Sequence, residues 1–142
     1  MTDAPPIRGV LEAALYAEDL QAAKRFWTEI IGLSLIAEVP GRHIFLDLGD
    51  AVLLVFNPVA TLVPPAPDAR LPVPPHGTSG AGHFCLAVAA EALPAWRDHL
   101  SARGVAIEAD FEWPQGGSSI YFRDPAGNSI ELATPNIWNK TK

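Results

Sequence analysis

The feature of the sequence that most constrains its fold is an internal repeat of a mixed α and β pattern. Residues 9–58 contain an apolar run, a helical pattern and three short β-type runs, and residues 82–135 contain the same order again. The two halves also end alike, in LLVFNP at 53–58 and IELATP at 130–135. A repeat of this length indicates two similar structural units. The sequence therefore predicts two β-α-β-β-β modules and an α+β fold.

In the first half, the clearest element is a helix predicted at residues 20–31, where apolar residues recur at helical spacing. Asp19 is a suitable N-cap for it, and Gly32 is a suitable residue just past its end. A strand is predicted before the helix, at residues 9–17. Three more strands, separated by turns that contain glycine, are predicted after it at residues 33–39, 42–48 and 51–57.

The second half predicts the same elements in the same order. A strand at residues 82–88 is followed by a helix at 92–103 and by a strand at 105–108. A hairpin then surrounds the turn sequence DPAGN, with its two strands at residues 118–123 and 129–134.

The connection between the halves, residues 59–81, is rich in proline. Proline fixes φ and removes a backbone donor, so an extended linker is predicted here rather than a strand of a sheet. The chain is thus expected to form one domain of 142 residues, with module one at about 9–58, module two at about 82–135 and a tail at 136–142.

Composition limits the classes of partner. The net charge is −6 with no run of Lys or Arg, so a nucleic acid is not expected as a partner. The longest apolar run, residues 51–56, is too short to cross a bilayer, so a membrane is not expected either. The single cysteine, Cys85, excludes an internal disulfide, and its apolar neighbours predict a buried, inert thiol. Residues 1–6 lack the pattern of a signal peptide, so a cytoplasmic location is expected.

Three polar residues, Glu12, His83 and Glu131, interrupt predicted strands that are otherwise apolar. Because side chains alternate across a strand, each lies on the face opposite the large aliphatic residues. Two carboxylates and one imidazole suit a divalent ion and leave positions open for water or substrate. The alternatives are that Glu12 is simply exposed, that His83 bonds to the backbone in the core and that Glu131 pairs with Arg123.

Several motifs also carry a family resemblance. LYAEDL at 15–20, GHFCLAV at 82–88 and YFRDPAGNSIEL at 121–132 resemble motifs of the vicinal oxygen chelate superfamily, which includes glyoxalases and dioxygenases. The similarity extends over about residues 9–135. It implies two βαβββ modules whose curved mixed sheets form a cup around one divalent metal ion.

The resemblance also implies which positions hold the metal. Carried over by position, they are Glu12, Leu54, His83 and Glu131, and Leu54 cannot bind a metal. The four-ligand arrangement of glyoxalase I is therefore broken. Three ligands remain, as in extradiol dioxygenases and fosfomycin-resistance transferases, which usually have histidine where this chain has Glu12. One histidine and two carboxylates suit Zn²⁺, Ni²⁺, Mn²⁺ or Fe²⁺, and the order of metal affinities does not choose among them.

Further catalytic candidates follow from the alternation of side chains. His43 is the best spare proton carrier, because the ordinary pKa of histidine is about 6.5. Tyr121 and Arg123 share a strand face and are suited to donate to an oxyanion, and Glu131 is a candidate base as well as a ligand. The alternative is that Arg123 fastens the turn at Asp124 and Tyr121 only fills space.

Two functions are compatible with these residues. The first is a metal-dependent enzyme that chelates a small substrate through vicinal oxygens and stabilises an oxyanion or enolate, as a lyase, isomerase or dioxygenase. The second is a non-catalytic, drug-sequestering binding protein of the bleomycin-resistance type. A homodimer is expected, because the modules have open sheet edges that need covering and the family usually pairs across them.

Overall fold

The structure is a computed structural model that describes residues 4–138 and Lys140. Within those residues the chain alternates helices and strands in two similar series. A π-helical turn at Phe26–Ile30 continues the first helix, and 3-10 turns occupy Ala90–Ala92 and Pro135–Trp138. The other elements, in chain order, are β1 Glu12–Tyr16, α1 Leu20–Arg25, β2 Leu35–Val39, β3 His43–Asp47, β4 Val52–Phe56, α2 Pro58–Thr61, β5 His83–Ala87, α3 Leu93–Ala102, β6 Ala109–Glu112, β7 Ser118–Arg123 and β8 Ser129–Ala133.

The strands form two four-stranded mixed sheets with the same topology. The first sheet has the order β1-β4-β3-β2 and the second has the order β5-β8-β7-β6. In each sheet the first strand of the module runs parallel to the last one, and the other pairings are antiparallel. The predicted fold of two β-α-β-β-β modules is therefore confirmed, and β1 and β5 each lie at the edge of a sheet.

The first helix begins as predicted and ends differently. The Asp19 side chain accepts a hydrogen bond from the backbone N–H of Ala22 at 3.0 Å, which caps α1. The last turn is π-helical, with the N–H of Ile31 donating to the carbonyl of Phe26 at 3.0 Å. This wider turn lets the consecutive rings of Phe26 and Trp27 both reach the core, where each is almost fully buried. None of the described helices has the length and apolar character needed to cross a bilayer.

Two predicted elements differ from the structure. The strand predicted at residues 105–108 is wrong, because the edge strand of the second sheet is instead Ala109–Glu112. The apolar side chains of Val105 and Ile107 pack against the core, and Glu108, whose N–H donates to the carbonyl of Tyr121 at 2.7 Å, leads into the paired strand. The linker predicted as extended from residue 59 begins inside a short helix, α2, which the Asn57 side chain caps.

A common core joins the two modules. Each sheet turns its aliphatic face inward, toward the helices, and aromatic rings cross the boundary between the modules. Phe26 lies 6.2 Å from Phe122, measured between ring centroids, and Trp27 meets Phe84 edge-on at 6.2 Å. Because apolar burial is the main driving force of folding, this shared core fixes how the modules pack. The opposite face of each sheet, here called its outer face, is left to carry polar residues.

A hydrogen-bonded turn also ties the modules together. Asn128 is buried, and its side-chain Nδ2 donates to the carbonyl of Tyr16, at the end of β1, at 3.3 Å. Its Oδ1 accepts from the N–H of Gly82, just before β5, at 2.8 Å. The same amide donates to Asp124 at 2.9 Å, which closes the DPAGN turn. The DPAGN turn therefore contacts the end of β1 and the start of β5 at the same time.

Candidate functional site

The outer face of the second sheet brings together two of the predicted metal ligands. His83 begins β5, and Glu131 lies in the middle of the neighbouring strand β8. His83 Nε2 lies 3.2 Å from Glu131 Oε1. The imidazole is about half exposed, with 52% of its side chain accessible, whereas the carboxylate is 6% accessible. The pair is therefore reachable from solvent on the histidine side alone.

The hydrogen bonds of His83 define which ring nitrogen is free. Nδ1 lies 3.0 Å from the carbonyl oxygen of Ser129, and a carbonyl only accepts, so Nδ1 carries the hydrogen. In the neutral ring, Nε2 then points a lone pair at the Glu131 carboxylate. Two such acceptors at this distance repel each other unless a proton or a cation lies between them. This donor set fits half of a divalent metal site, with Ser129 as the outer partner that orients the histidine.

A chain of hydrogen bonds holds the other carboxylate oxygen of Glu131. The buried Ser119 hydroxyl donates to Glu131 Oε2 at 2.6 Å, and the indole N–H of Trp113 donates to the same hydroxyl at 2.8 Å. The alternation of side chains along β7 predicts that Ser119 lies on this face, but nothing in the sequence indicates its contact with Trp113. This series of hydrogen bonds fixes the plane of the carboxylate and leaves Oε1 facing His83.

The loop that carries Trp113 packs closely against the 3-10 turn Pro135–Trp138. Gly117 has a φ of +87°, and a Cβ there would lie 2.6 Å from Cγ2 of Ile137. Only glycine avoids both the strain and the clash, so the loop can approach the 3-10 turn Pro135–Trp138 this closely. This close packing holds the Trp113 indole in hydrogen-bonding distance of the Ser119 hydroxyl.

Tyr121 and Arg123 have different surroundings, although both lie on β7. The Tyr121 ring lies between those of His83 and Phe111, with centroid distances of 6.1 and 5.8 Å. Burial raises the pKa of Tyr121, and the nearby Glu131 carboxylate adds to the effect, so the phenol stays protonated. The Arg123 guanidinium is instead engaged by Glu108, at 2.7 and 3.0 Å, as well as by the turn carbonyl of Gly127.

Cys85 lies on this face too, next to Glu131 in the strand register. The prediction that its thiol is buried is wrong, because Cys85 is exposed. The side chains of β5 alternate between the core and the outer face, and Cys85 belongs to the outer one. Partial burial and the Glu131 carboxylate raise the pKa of this thiol to about 12, so it remains protonated. It lines a cavity of about 620 Å³ together with the C-terminal segment.

The outer face of the first sheet holds the remaining candidates. Glu12 is exposed at the start of β1 and lines a cavity of about 690 Å³, which His43 and Leu54 also line. Burial lowers the pKa of His43, and the neighbouring Arg42 lowers it further. Among the described residues, the buried Nδ1 atom of His43 has no hydrogen-bond partner. Leu54 is buried here, in keeping with an apolar wall rather than a ligand position.

The structure thus brings His83 and Glu131 together on one sheet and leaves Glu12 and His43 on the other. Among residues 4–138 and Lys140, no group of three or more His, Cys, Asp or Glu side chains is arranged to hold a metal ion. The three-residue ligand set therefore stays a prediction, of which one chain assembles two members.

The comparison with protein families shows which family the chain belongs to. The model of the family described as Glyoxalase/Bleomycin resistance protein/Dioxygenase superfamily matches residues 9–132, most of the chain. The chain belongs to this superfamily. Within this superfamily it is 34% identical, over 122 residues, to the glutathione transferase FosA of Serratia marcescens. That match covers 83% of this chain and 74% of the relative.

Solved structures of the glyoxalase/dioxygenase superfamily agree with the fold. The crystal structure of lactoylglutathione lyase from Agrobacterium tumefaciens superposes with a TM-score of 0.87 at 36% identity, covering 96% of this chain and all of that one. The fosfomycin resistance protein FosX from Mesorhizobium loti gives a TM-score of 0.65 at 16% identity, covering 94% of this chain and 98% of that one. The FosX comparison shows the fold alone. The relatives with substantial sequence identity are named as enzymes of this superfamily.

Proposed function

We propose that this chain is a metal-dependent enzyme of the superfamily that binds a small substrate through two adjacent oxygens and stabilises an oxyanion or enolate. Its reaction belongs to the lyase, isomerase or dioxygenase type, as expected from the sequence. The two relatives at 34% and 36% identity support the enzyme class, because their names describe a glutathione transferase and a lactoylglutathione lyase.

The observation that carries the proposal is the His83–Glu131 pair. One nitrogen of His83 is fixed by the Ser129 carbonyl and one oxygen of Glu131 by the Ser119 hydroxyl, and His83 Nε2 then faces Glu131 Oε1 at 3.2 Å. A bound Zn²⁺, Ni²⁺, Mn²⁺ or Fe²⁺ would act as a Lewis acid toward the substrate oxygens. His83 and Glu131 would hold such an ion, and the preset hydrogen bonds lower the reorganisation that binding requires.

The third ligand in this proposal is Glu12 of a second copy of the chain. Within the part of the chain that the structure describes, β1 and β5 each lie at the open edge of a sheet, and an exposed apolar stretch precedes β1. In that stretch Ile7, Val10 and Leu11 are 90%, 74% and 75% exposed. Open edges and exposed apolar side chains favour association, and a two-fold dimer would cover both at once. These features support a homodimer whose sites each use one module from each subunit.

The proposed roles of the other candidates follow from their surroundings. Tyr121, a protonated phenol beside Glu131, is suited to donate to an oxyanion. His43, whose pKa is lowered, is neutral at neutral pH and suited to accept a proton from a substrate held on the first sheet. Arg123, already bound to Glu108, is best suited to fastening the turn between β7 and β8.

The alternative is a binding protein without chemistry, of the bleomycin-resistance type. It is favoured by the cavity on the first sheet, which is lined mainly by apolar and aromatic side chains and needs no metal to hold a ligand. Metal binding separates the two proposals, because only the enzyme requires the His83–Glu131 pair as ligands.

The experiment is a metal titration of chelator-treated protein against a chromophoric competitor, with Zn²⁺, Ni²⁺ and Mn²⁺ in air and Fe²⁺ under anaerobic conditions. Wild type should bind about one ion per chain, and His83→Ala should weaken binding by at least about 100-fold. The matched control is His99→Gln: His99 donates from Nε2 to the carbonyl of Ile30 and its ring packs edge-on against Trp96, and glutamine can keep that hydrogen bond. Wild type that takes no metal, or His83→Ala that binds as wild type does, would refute the enzyme and leave the binding protein.

A further inference from the structure

The cavity on the outer face of the first sheet has a defined floor and roof. Its floor is formed by Phe45 on β3 and by Leu54 and Phe56 on β4. Its roof is the proline-rich segment after α2, from which Val63, Leu71 and Val73 line the space. At about 690 Å³ the cavity has the size of a small-molecule site. The roof side chains are 65%, 76% and 53% exposed, so much apolar surface remains to be covered.

Aromatic rings give the floor its shape. His43 and Phe45 are stacked in parallel, with centroids 4.0 Å apart, and Phe56 stands nearly perpendicular to both at 5.8 Å. His76, in the roof, meets Phe56 edge-on at 4.6 Å and is tied to the Tyr16 hydroxyl at 2.7 Å. The roof is therefore held in place by a specific contact. A flat apolar group fits against such a wall better than a flexible polar chain, because rings interact through stacked and edge-on geometries.

The two ends of the cavity carry opposite charges. Glu12 lies level with Val52 at one end of the strands, and His43, which follows Arg42, lies level with Phe56 at the other. Four residues of strand separate these levels, which is about 13 Å. Within the described residues, neither the Glu12 carboxylate nor the Arg42 guanidinium has an ion-pair partner.

We infer that this cavity binds an elongated, ring-bearing carboxylic acid. Its carboxylate pairs with Arg42, its ring lies against Phe45 and Phe56, and its far end reaches toward Glu12. The guanidinium is the cationic group that lines the cavity, and arginine binds carboxylates through paired hydrogen bonds. The inference rests on the proposed function for the chemistry at the Glu12 end, and recognition of the ring and the acid needs no metal.

The test uses chelator-treated full-length protein and isothermal titration calorimetry with three probes: 2-naphthoate, its neutral analogue 2-naphthamide, and acetate. We expect 2-naphthoate to bind with a submillimolar dissociation constant and 2-naphthamide about tenfold more weakly, because the charge-assisted contact is lost. Acetate, which has the charge without the ring, should not bind measurably. Equal affinity for naphthoate and naphthamide, or no binding of naphthoate, would overturn the inference.

Variants locate the site. Arg42→Gln should weaken naphthoate by about tenfold and leave naphthamide unchanged, since only the acid pairs with the guanidinium. Arg103→Gln, at an exposed arginine outside the cavity, is the matched control and should change neither. Val73→Asp changes an exposed roof residue and should weaken naphthoate more than naphthamide, without depending on how the floor tolerates mutation. Naphthoate that binds Arg42→Gln and Val73→Asp as it binds wild type would overturn the inference.

The outcome is separable from that of the metal titration. Protein that binds metal through His83 but not naphthoate refutes the ligand class and keeps the enzyme. Protein that binds naphthoate through Arg42 but takes no metal refutes the enzyme and upholds the ligand class.

Discussion

The outer faces of the two sheets share one topology and differ in chemistry. On the second sheet, Trp113, Ser119, Glu131 and His83 form a continuous series of polar contacts between 2.6 and 3.2 Å. On the first sheet, the side chains that face outward are mainly aromatic and aliphatic, and Glu12 and Arg42 lie at the ends of a cavity without an ion-pair partner in the described part of the chain. One face therefore prepares donor atoms in fixed positions, whereas the other provides walls.

This difference shows that two modules of the same fold can carry different side chains at equivalent positions. Glu131 in the middle of β8 corresponds to Leu54 in the middle of β4, and both lie on outer faces. Leu54 offers no donor atom where Glu131 offers a carboxylate, and it contributes apolar wall to the cavity. A substrate that needs both metal and wall must then meet both faces. Because Glu12 forms no ligand cluster with His83 and Glu131 within the described part of one chain, our proposal uses a second copy to bring the two faces together.

The largest expected effect concerns that second copy. We predict that Glu12→Ala and His83→Ala each abolish high-affinity metal binding as homodimers, because each removes a ligand from both sites. A heterodimer of the two variants, purified through two different tags, should recover about one of its two sites, since one site receives only intact residues. Metal content and light scattering of the purified heterodimer measure this.

The control is a dimer purified through the same two tags in which both subunits carry His83→Ala. It should bind no metal at wild-type affinity. A mixed heterodimer that also binds none would contradict the shared site. So would wild-type protein that stays monomeric at micromolar concentration while binding metal. In either case the two outer faces would function separately.

A smaller effect is expected at the Trp113–Ser119–Glu131 chain. Ser119→Ala should weaken metal binding by about 10- to 100-fold, the usual effect of removing a partner that orients a ligand. The variant leaves Glu131 Oε2 and the Trp113 indole without their shared hydroxyl, so the carboxylate loses its fixed plane. Competitive metal titration measures the affinity, and thermal melting of the metal-free protein reports any separate loss of stability.

Ser118→Ala is the matched control, because the hydrogen bonds of Ser118 to Thr134 are made by its backbone: its N–H donates to the Thr134 hydroxyl and its carbonyl accepts from the Thr134 N–H. Ser119→Thr keeps the hydroxyl and should recover most of the affinity. If Ser119→Ala lowers the melting temperature but leaves metal affinity unchanged, the hydroxyl stabilises the fold and does not position the ligand.

Much of the fold could be predicted because its signals are local. The repeat, the cap at Asp19 and the DPAGN turn each determine a short stretch of backbone, and the structure confirms the β-α-β-β-β order. Residues 105–108 were harder, because an apolar run beside a sheet is compatible with either pairing or packing. Only the tertiary contacts of Val105 and Ile107 with the core decide between the two.

The candidate site was predictable within a sheet but not between sheets. Alternation along a strand places His83 and Glu131 on one face, and adjacent strands then bring them together. The position of Glu12 relative to them depends on how the modules pack, which no strand pattern encodes. Likewise, the alternation of side chains along β7 predicts that Arg123 lies on the outer face. Its partner Glu108 comes from the segment before β6, and only the structure reveals that contact.

The smallest expected effect is a shift in the protonation of His43, which tests the apolar character of the first outer face. Burial and the Arg42 charge lower its folded-state pKa below the ordinary value of 6.5. The unfolded chain therefore binds more protons between these two pKa values, and the free energy of unfolding falls as pH decreases through that interval. Arg42→Gln should raise the pKa only part of the way toward 6.5, because the larger cause, burial, remains. Arg103→Gln should leave it unchanged. Titration of the His43 ring by NMR, with the signal assigned by its loss in His43→Asn, measures both shifts. A wild-type pKa at or above 6.5 would mean that solvent reaches the ring, and the contrast between a walled first face and a polar second face would then fail.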